Sequence, residues 1–356
     1  MRNKKCFIVS YCGLSNAGGV ERVCYYVSKI VESKGYNVEI VDKKKIECFW
    51  MSKMIKILLG RIPLLGAGLL SSFYIMQKKR KCDIVITNGF NCPLISADIL
   101  FMHGTMKGSS SALGIKQTFK SNIPIVFERW ASNIAKNIIT VSHLAAKEVI
   151  QFYNHKKDNF TVVNNMVDEN VYIPMDIDKE EGLNIIFCGR VERRKGSDYL
   201  LQLAQYIQEN EINARLIIAT NNNLNIEELE QLKCVSISVG LIQEQLNAFY
   251  NKGDVMYFPS RYEGFEMVTL EALAAGVPIL GNHVGAVAEL SDRKEPGVDL
   301  IRTPDQPAEI LNQLRQLSET YATKDSKDKL HKYYVENYGT EAYISKLEVV
   351  FSEINK

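Results

Sequence analysis

The stretch Pro259-Ser260-Arg261-Tyr262-Glu263-Gly264-Phe265-Glu266-Met267-Val268-Thr269-Leu270-Glu271-Ala272-Leu273-Ala274-Ala275-Gly276-Val277-Pro278 reads as a loop running into a helix, which Gly276 and Pro278 then stop. The apolar run before it, Val255-Met256-Tyr257-Phe258, has the pattern of a short buried strand. Glu263 therefore stands beyond the carboxyl end of a strand, and in an open parallel sheet that edge is where ligands bind.

Glu263 and Glu271 are the candidate chemistry of this stretch. On one helix they would lie roughly 12 Å apart along the axis, whereas a hydrolytic pair needs about 5–9.5 Å across one glycosidic bond. No histidine joins them at metal-ligand spacing. What remains is hydrogen bonding to two sets of hydroxyls at the ends of one long ligand, with a helix N-terminus facing an anion between them. A sugar, a diphosphate and a ribose in line fit that description. An exposed loop glutamate plus an ordinary helix-surface one fits the spacing as well.

The chain's 356 residues allow two α/β domains. With 46% hydrophobic and 24% charged residues it has an ordinary globular composition. Its 8 cysteines form no CxxC pair and read as small buried residues of a reducing compartment, not as a disulfide or zinc framework. The N-terminal apolar run is too short for a signal peptide and reads as a first strand. Residues 62–77, interrupted by Pro63, Gly66 and Gly68, fall short of a membrane span.

The net charge of +2 hides an asymmetry. Residues 1–170 carry 24 Lys+Arg against 12 Asp+Glu, hence +12, and the remainder carries −10. The basic half has no nucleic-acid-binding signature, so no nucleic acid is expected. An anionic membrane surface is the expected partner. Lys53, Lys56 and Arg61, the apolar residues of 64–76 and Lys78-Lys79-Arg80-Lys81 suit an interfacial element, and equally a core helix with a solvated basic end.

Strand and helix signals alternate along the chain, which implies an α/β fold with parallel, doubly wound sheets. In the first half strands are expected over 7–10, 38–41, 84–87, 99–103, 138–141 and 161–163, with helices over 20–33 and 143–153. The pattern restarts after a polar linker, with strands over 184–188, 214–219, 235–239, 255–258 and 278–281 and helices over 197–209 and 244–251. Residues 1–168 and 169–338 form the expected domains, and an amphipathic helix over 340–354, within a segment 339–356, is expected to cross back toward the first. Asp176-Ile177-Asp178 matches a three-residue metal motif, but it lies in an acidic linker and reads as solvated loop.

Three more clusters sit at predicted strand ends. Gly18-Gly19-Val20-Glu21-Arg22 opens a helix after the first strand, where backbone N–H groups can approach an anion, although it lacks the G-x-G-x-x-G dinucleotide fingerprint. Gly189-Arg190-Val191-Glu192-Arg193-Arg194-Lys195-Gly196 gathers cations able to clamp a diphosphate. His103 closes the strand predicted over 99–103; a lone histidine there is either structural or a site residue.

Together these residues resemble the retaining GT-B glycosyltransferases of family 4, the glycosyl transferases group 1. The resemblance rests on Gly18-Gly19-Val20-Glu21-Arg22, His103-Gly104, Val141-Ser142, Asn164-Asn165-Met166-Val167-Asp168, Gly189-Arg190 with Lys195-Gly196, and Pro259-Ser260, Glu263-Gly264-Phe265 and Glu271-Ala272. It implies two Rossmann-like domains facing a central cleft, retention at the anomeric carbon and no metal or other cofactor, with a nucleotide-diphosphate sugar as co-substrate. By this resemblance Glu263 holds hydroxyls of the donor sugar, with backbone N–H groups of Gly264 and Phe265. Met267 and Val268 meet the diphosphate and Glu271 the ribose. Arg190 and Lys195 neutralise the leaving group with help from Gly18 and Gly19, and His103 sits beside the sugar. Glu266 departs from the small residue usual at its position, which bears on sugar identity. Asn165 replaces the usual glycine of its turn, and asparagine tolerates left-handed backbone angles.

The expectation is a hexosyltransferase acting from a UDP-sugar, or next a GDP-sugar, on a lipid-linked saccharide, cytoplasmic and peripheral on the inner face of the membrane, in bacterial surface-polysaccharide synthesis. A nucleotide-sugar epimerase of similar fold and a silent nucleotide-sugar-binding scaffold are the alternatives.

Overall fold

The computed structural model describes residues 4–14, 19–53, 64–116, 118–155, 160–221 and 226–354. The chain divides into two compact units, Met1–Asn165 with Tyr343–Lys356, and Met166–Ala342.

Unit 1 runs β1 (Lys5–Val9), α1 (Gly19–Ser33), β2 (Asn37–Val41), α2 (Lys43–Cys48), α3 (Leu64–Lys78), β3 (Ile84–Asn88), β4 (Ile99–Met102), α4 (Met106–Ala112), α5 (Phe119–Ile134), β5 (Ile138–Thr140), α6 (His143–Tyr153) and β6 (Phe160–Val162). Its six strands are ordered β2-β1-β3-β4-β5-β6 and every pairing is parallel. The central strand β4, Ile-Leu-Phe-Met, is buried throughout, whereas the edge strands β2 and β6 are only partly covered. That difference explains why central strands read as continuous apolar runs: helices cover both faces of a parallel sheet. Helix starts follow local chemistry. Ser142 accepts from Ala145 N at the start of α6, and Thr105 accepts from Gly108 N at the start of α4.

Unit 2 continues with β7 (Leu183–Cys188), a 3-10 turn (Arg193–Lys195), α7 (Ser197–Glu209), β8 (Ala214–Thr220), α8 (Glu227–Glu230), β9 (Val235–Val239), α9 (Gln243–Lys252), β10 (Val255–Phe258), α10 (Met267–Ala274), β11 (Ile279–Gly281), α11 (Gly285–Asp292), β12 (Val298–Leu300), α12 (Pro307–Thr320) and α13 (Lys324–Tyr338). Its sheet, also parallel, is ordered β12-β11-β10-β7-β8-β9. This is the doubly wound dinucleotide-type order, with β7 and β10 flanking the switch point where a crevice opens at the strand ends. The last helix, α14 (Thr340–Ile354), belongs from Tyr343 onward to unit 1, where Tyr343 meets Tyr26 of α1 edge-on at 6.3 Å.

Three expectations need correction. The strand predicted over 99–103 ends at Met102, so His103 is the first residue beyond it. The apolar part of the proposed interfacial element is largely core: Leu70, Tyr74 and Ile75 of α3 pack with Phe7, Val9, Phe49 and Val85, leaving Phe73 and Met76 exposed. Lys56 and Arg61 lie outside the described residues. Asn165 is not among the residues with positive φ, so its turn makes no use of the left-handed tolerance of asparagine.

Candidate functional site

The crevice of unit 2 is built by the segments that leave β7 and β10. After β7 the chain turns through Gly189, whose φ of 151° suits only glycine well, into the short 3-10 turn. Gly196 then has φ +81°, and a Cβ there would stand 2.4 Å from the carbonyl oxygen of Pro259. The Arg193–Lys195 turn is thereby pressed against the loop that follows β10, and Arg261 N donates to Arg194 O at 2.8 Å.

Glu263 is where these segments meet. Its Oε1 accepts from Ser260 Oγ at 2.6 Å, from Lys195 Nζ at 2.7 Å and from Arg194 Nη1 at 3.1 Å. Such charge-assisted bonds hold the carboxylate in one orientation. Glu263 Oε2 has no protein partner among the described residues, so it can accept from a ligand hydroxyl. Glu192 pairs with both Arg190 and Arg194, so Arg190, Arg194, Lys195, Glu192 and Glu263 together sum to one positive charge, a suitable neighbourhood for an anion. Arg190, by contrast, is 53% exposed and pairs with Glu192 at 3.1 Å. Of the two cations singled out from the sequence, Lys195 is brought to Glu263 and Arg190 is not. Arg194 takes the second place, and its position in an Arg-Arg-Lys run gave no signal of which cation the turn would direct inward.

Glu271 lies on the buried face of α10, 4% exposed, and accepts from Tyr250 Oη of α9 at 2.9 Å. It is not an ordinary helix-surface residue. Phe265 is buried with its ring stacked on Tyr338, so only its backbone can serve a ligand. Met267 and Val268 open α10, and Glu266 at the N-cap gives no side-chain cap to the helix. The first N–H groups of a helix have no intrahelical partner and carry its positive end. The Glu266 carboxyl instead takes Thr269 Oγ1 at 2.5 Å and Ala286 N, at the start of α11, at 3.0 Å. Burial, then the Glu263 charge, pushes Glu266 up to about 7.

In unit 1 the strand ends carry a separate cluster. Gly18 lies outside the described residues, and Gly19 is the first residue of α1. His103 Nε2 is 3.0 Å from Asn88 Oδ1 at the end of β3, and its ring stacks on Phe101. Burial lowers the His103 pKa to about 4, so the imidazole is neutral at neutral pH. Behind the turn that follows, Glu128 of α5 accepts from Met106 N at 2.8 Å and from Tyr153 Oη, and burial raises it to about 7. Asn88, Glu128 and Tyr250 carried no sequence signal beyond a polar residue at the end of an apolar strand for Asn88.

Asp176 and Asp178 are exposed, and among the described residues no group of three or more His, Cys, Asp or Glu comes together as a metal cluster. Among them also, no helix is long and apolar enough to cross a membrane.

A family model described as Glycosyltransferase Family 4 matches residues 17–171, and one described as Glycosyl transferases group 1 matches residues 182–320. An uncharacterized glycosyltransferase from Methanocaldococcus jannaschii is 30% identical over 182 residues, covering 45% of this chain and 46% of that relative. The chain thus spans about half the length of this curated relative. Among solved structures, WaaG, a glycosyltransferase involved in lipopolysaccharide biosynthesis, superposes with a TM-score of 0.70 at 15% identity, covering 97% of this chain and 99% of that one. Anabaena HepE in complex with UDP-glucose gives 0.69 at 14% identity, covering 98% and 99%. The fold is GT-B, with two Rossmann-like domains. With each half matched by its own domain model, the chain belongs to the glycosyltransferases of the group 1/family 4 type.

Proposed function

We propose that this protein transfers a hexose from a nucleotide-diphosphate sugar, UDP-linked in first place and GDP-mannose next, to a lipid-linked saccharide with retention. The observation that carries the reading is Glu263: one carboxylate oxygen is fixed by Lys195, Arg194 and Ser260 and the other is left for a hydroxyl, at the switch point of a doubly wound sheet. The start of α10 beside it offers the N–H groups of Met267 and Val268 to a diphosphate, and Glu271 the acceptor for ribose hydroxyls. The bound UDP-glucose of HepE supports a UDP-sugar, and the role of WaaG supports a surface-polysaccharide setting.

In the proposed reaction an acceptor hydroxyl oxygen bonds to the anomeric carbon as the bond from that carbon to the diphosphate oxygen breaks. The hydroxyl proton passes to the leaving phosphate. Lys195, Arg194 and the helix end stabilise charge that grows on the diphosphate. Glu263 is engaged by two cations and does not act as a free base. His103, Gly19 and Arg190 are proposed to serve the donor as well, Arg190 as an outer cation. The reaction needs no metal, and the basic first half docks on the anionic cytoplasmic face of the membrane.

The test is a thermal-shift and hydrolysis screen of the purified protein against UDP- and GDP-sugars, with and without EDTA. Stabilisation by one nucleotide family, unchanged by EDTA, is expected. No stabilisation by any of them overturns the reading.

A further inference from the structure

The hydrogen bonds around Asn88 determine which nitrogen of His103 carries its proton. Asn88 Nδ2 is 3.0 Å from the carbonyl oxygen of Val9 and 3.3 Å from Cys24 Sγ. A carbonyl oxygen only accepts, so the amide nitrogen must face it, and Oδ1 must face His103. Oδ1 likewise only accepts. His103 Nε2, 3.0 Å away, is therefore the protonated nitrogen, and Nδ1 is left with its lone pair. Nδ1 has no hydrogen-bond partner among the described residues.

We propose that Asn88 is a positioning residue that holds His103 as the Nε2–H tautomer, so that Nδ1 accepts a hydrogen bond from a substrate hydroxyl. The role assigned to Nδ1 rests on the reading that His103 lies beside the donor sugar; the tautomer itself does not. Asparagine suits this task because it takes the Nε2–H bond without adding charge. An aspartate in its place would accept the same bond but favour the imidazolium, which has no lone pair on either nitrogen. The groups packed around His103 keep it uncharged. Asn88 and the aromatic ring of Phe101 contribute none, and Cys24 of α1 shares the Asn88 amide as a buried thiol. Glu128 of α5 and Glu148 of α6 reach the following turn at Met106 N and Thr105 Oγ1, not the imidazole.

The experiment uses the full chain labelled with 15N at histidine, with the His103 signals assigned by comparison with His103→Gln. At pH 7 the wild type is expected to show neutral His103 protonated at Nε2; an Nδ1–H tautomer or an imidazolium overturns the proposal whether or not the protein transfers sugar. In Asn88→Asp the His103 titration is expected to move up by at least one pH unit. Transfer by that variant is then expected to fall as pH is lowered through the new pKa, in kcat more than in the KM for the nucleotide sugar, over a range where the wild type is flat. Asn88→Ala, which leaves the tautomer unfixed, is expected to lower kcat at least tenfold with nucleotide stabilisation retained. An unchanged pH profile in Asn88→Asp despite the shifted titration overturns the positioning role. Absence of nucleotide stabilisation in the wild type instead marks failure of the donor reading.

Discussion

Lys195 Nζ and Glu263 Oε1 are 2.7 Å apart, with side chains only 11% and 9% exposed. They come from segments leaving two adjacent strands, so the pair ties the two sides of the crevice together. Removing either member should reduce transfer by at least ~100-fold, the scale seen when one preorganised electrostatic group is lost. The stability costs should differ. Glu263→Ala leaves Lys195 without its carboxylate partner while Arg194 keeps Glu192, at a cost approaching the ~3–5 kcal/mol of a broken buried pair. Lys195→Ala leaves Glu263 with Arg194 and Ser260 and should cost less. Urea unfolding beside turnover measurements checks both, and full activity in either variant rejects the site.

Two carboxyls held well above their ordinary range make stability depend on pH. Glu128 and Glu266 are each raised from 4.5 to about 7 by burial. Between those values the folded chain binds more protons than the unfolded one, so stability falls as pH rises through the window. Glu128→Gln and Glu266→Gln should each flatten part of that slope. Thermal unfolding followed from pH 5 to pH 8 gives the comparison, and identical slopes in the wild type and both variants would count against the raised values.

His103 acts in the opposite direction. Its pKa is lowered from 6.5 to about 4, so the folded chain binds fewer protons than the unfolded one across that range. Stability should fall as pH drops through it. His103→Gln, neutral throughout, should lose less stability than the wild type between pH 6.5 and pH 4 by circular dichroism.

Gly196→Ala should be more damaging than its size suggests. The residue has φ +81° and the new Cβ would lie 2.4 Å from Pro259 O, a contact relieved only by moving backbone. A loss of ~1–3 kcal/mol is expected from the strained conformation, together with weaker nucleotide stabilisation as Lys195 shifts. Chemical denaturation and a nucleotide thermal shift report the two effects separately.

Tyr250→Phe removes one donor to the buried Glu271 carboxylate without changing shape. The cost expected for an under-satisfied buried acceptor is ~1–3 kcal/mol. If Glu271 receives the ribose, affinity for the nucleoside diphosphate should change in the same variant, as read by calorimetry with UDP.

The strand and helix order was legible because parallel sheets impose simple patterns. Central strands such as Val255–Phe258 are buried on both faces, and α6 and α7 begin at Ser142 and Gly196, both recognisable boundary residues. The helices α4 and α5 were missed for physical reasons. Lys107-Gly108-Ser109-Ser110-Ser111 reads as loop, and Pro124 sits inside α5, where proline normally ends a helix. Among the candidate residues, Glu263 and Glu271 were legible from their local spacing and Lys195 from its Lys-Gly motif. Arg194 and Asn88 carried no such mark, and each takes its partner from far along the chain, Glu263 at 69 residues for Arg194 and Val9 at 79 for Asn88.

The chain leaves unit 1 at Asn165 and rejoins it only at Tyr343. On a ribosome, which delivers residues in order, unit 2 is fully synthesised while unit 1 still lacks its last helical segment. Tyr343, Leu347 and Phe351 are nearly inaccessible once that segment is in place, so the surface they cover in unit 1 stays bare until all of unit 2 has been made. Domains generally fold as units in the order in which they are completed. Here the half that begins first is the half that finishes last, and a chain cut before residue 343 should yield a folded unit 2 beside an aggregation-prone unit 1.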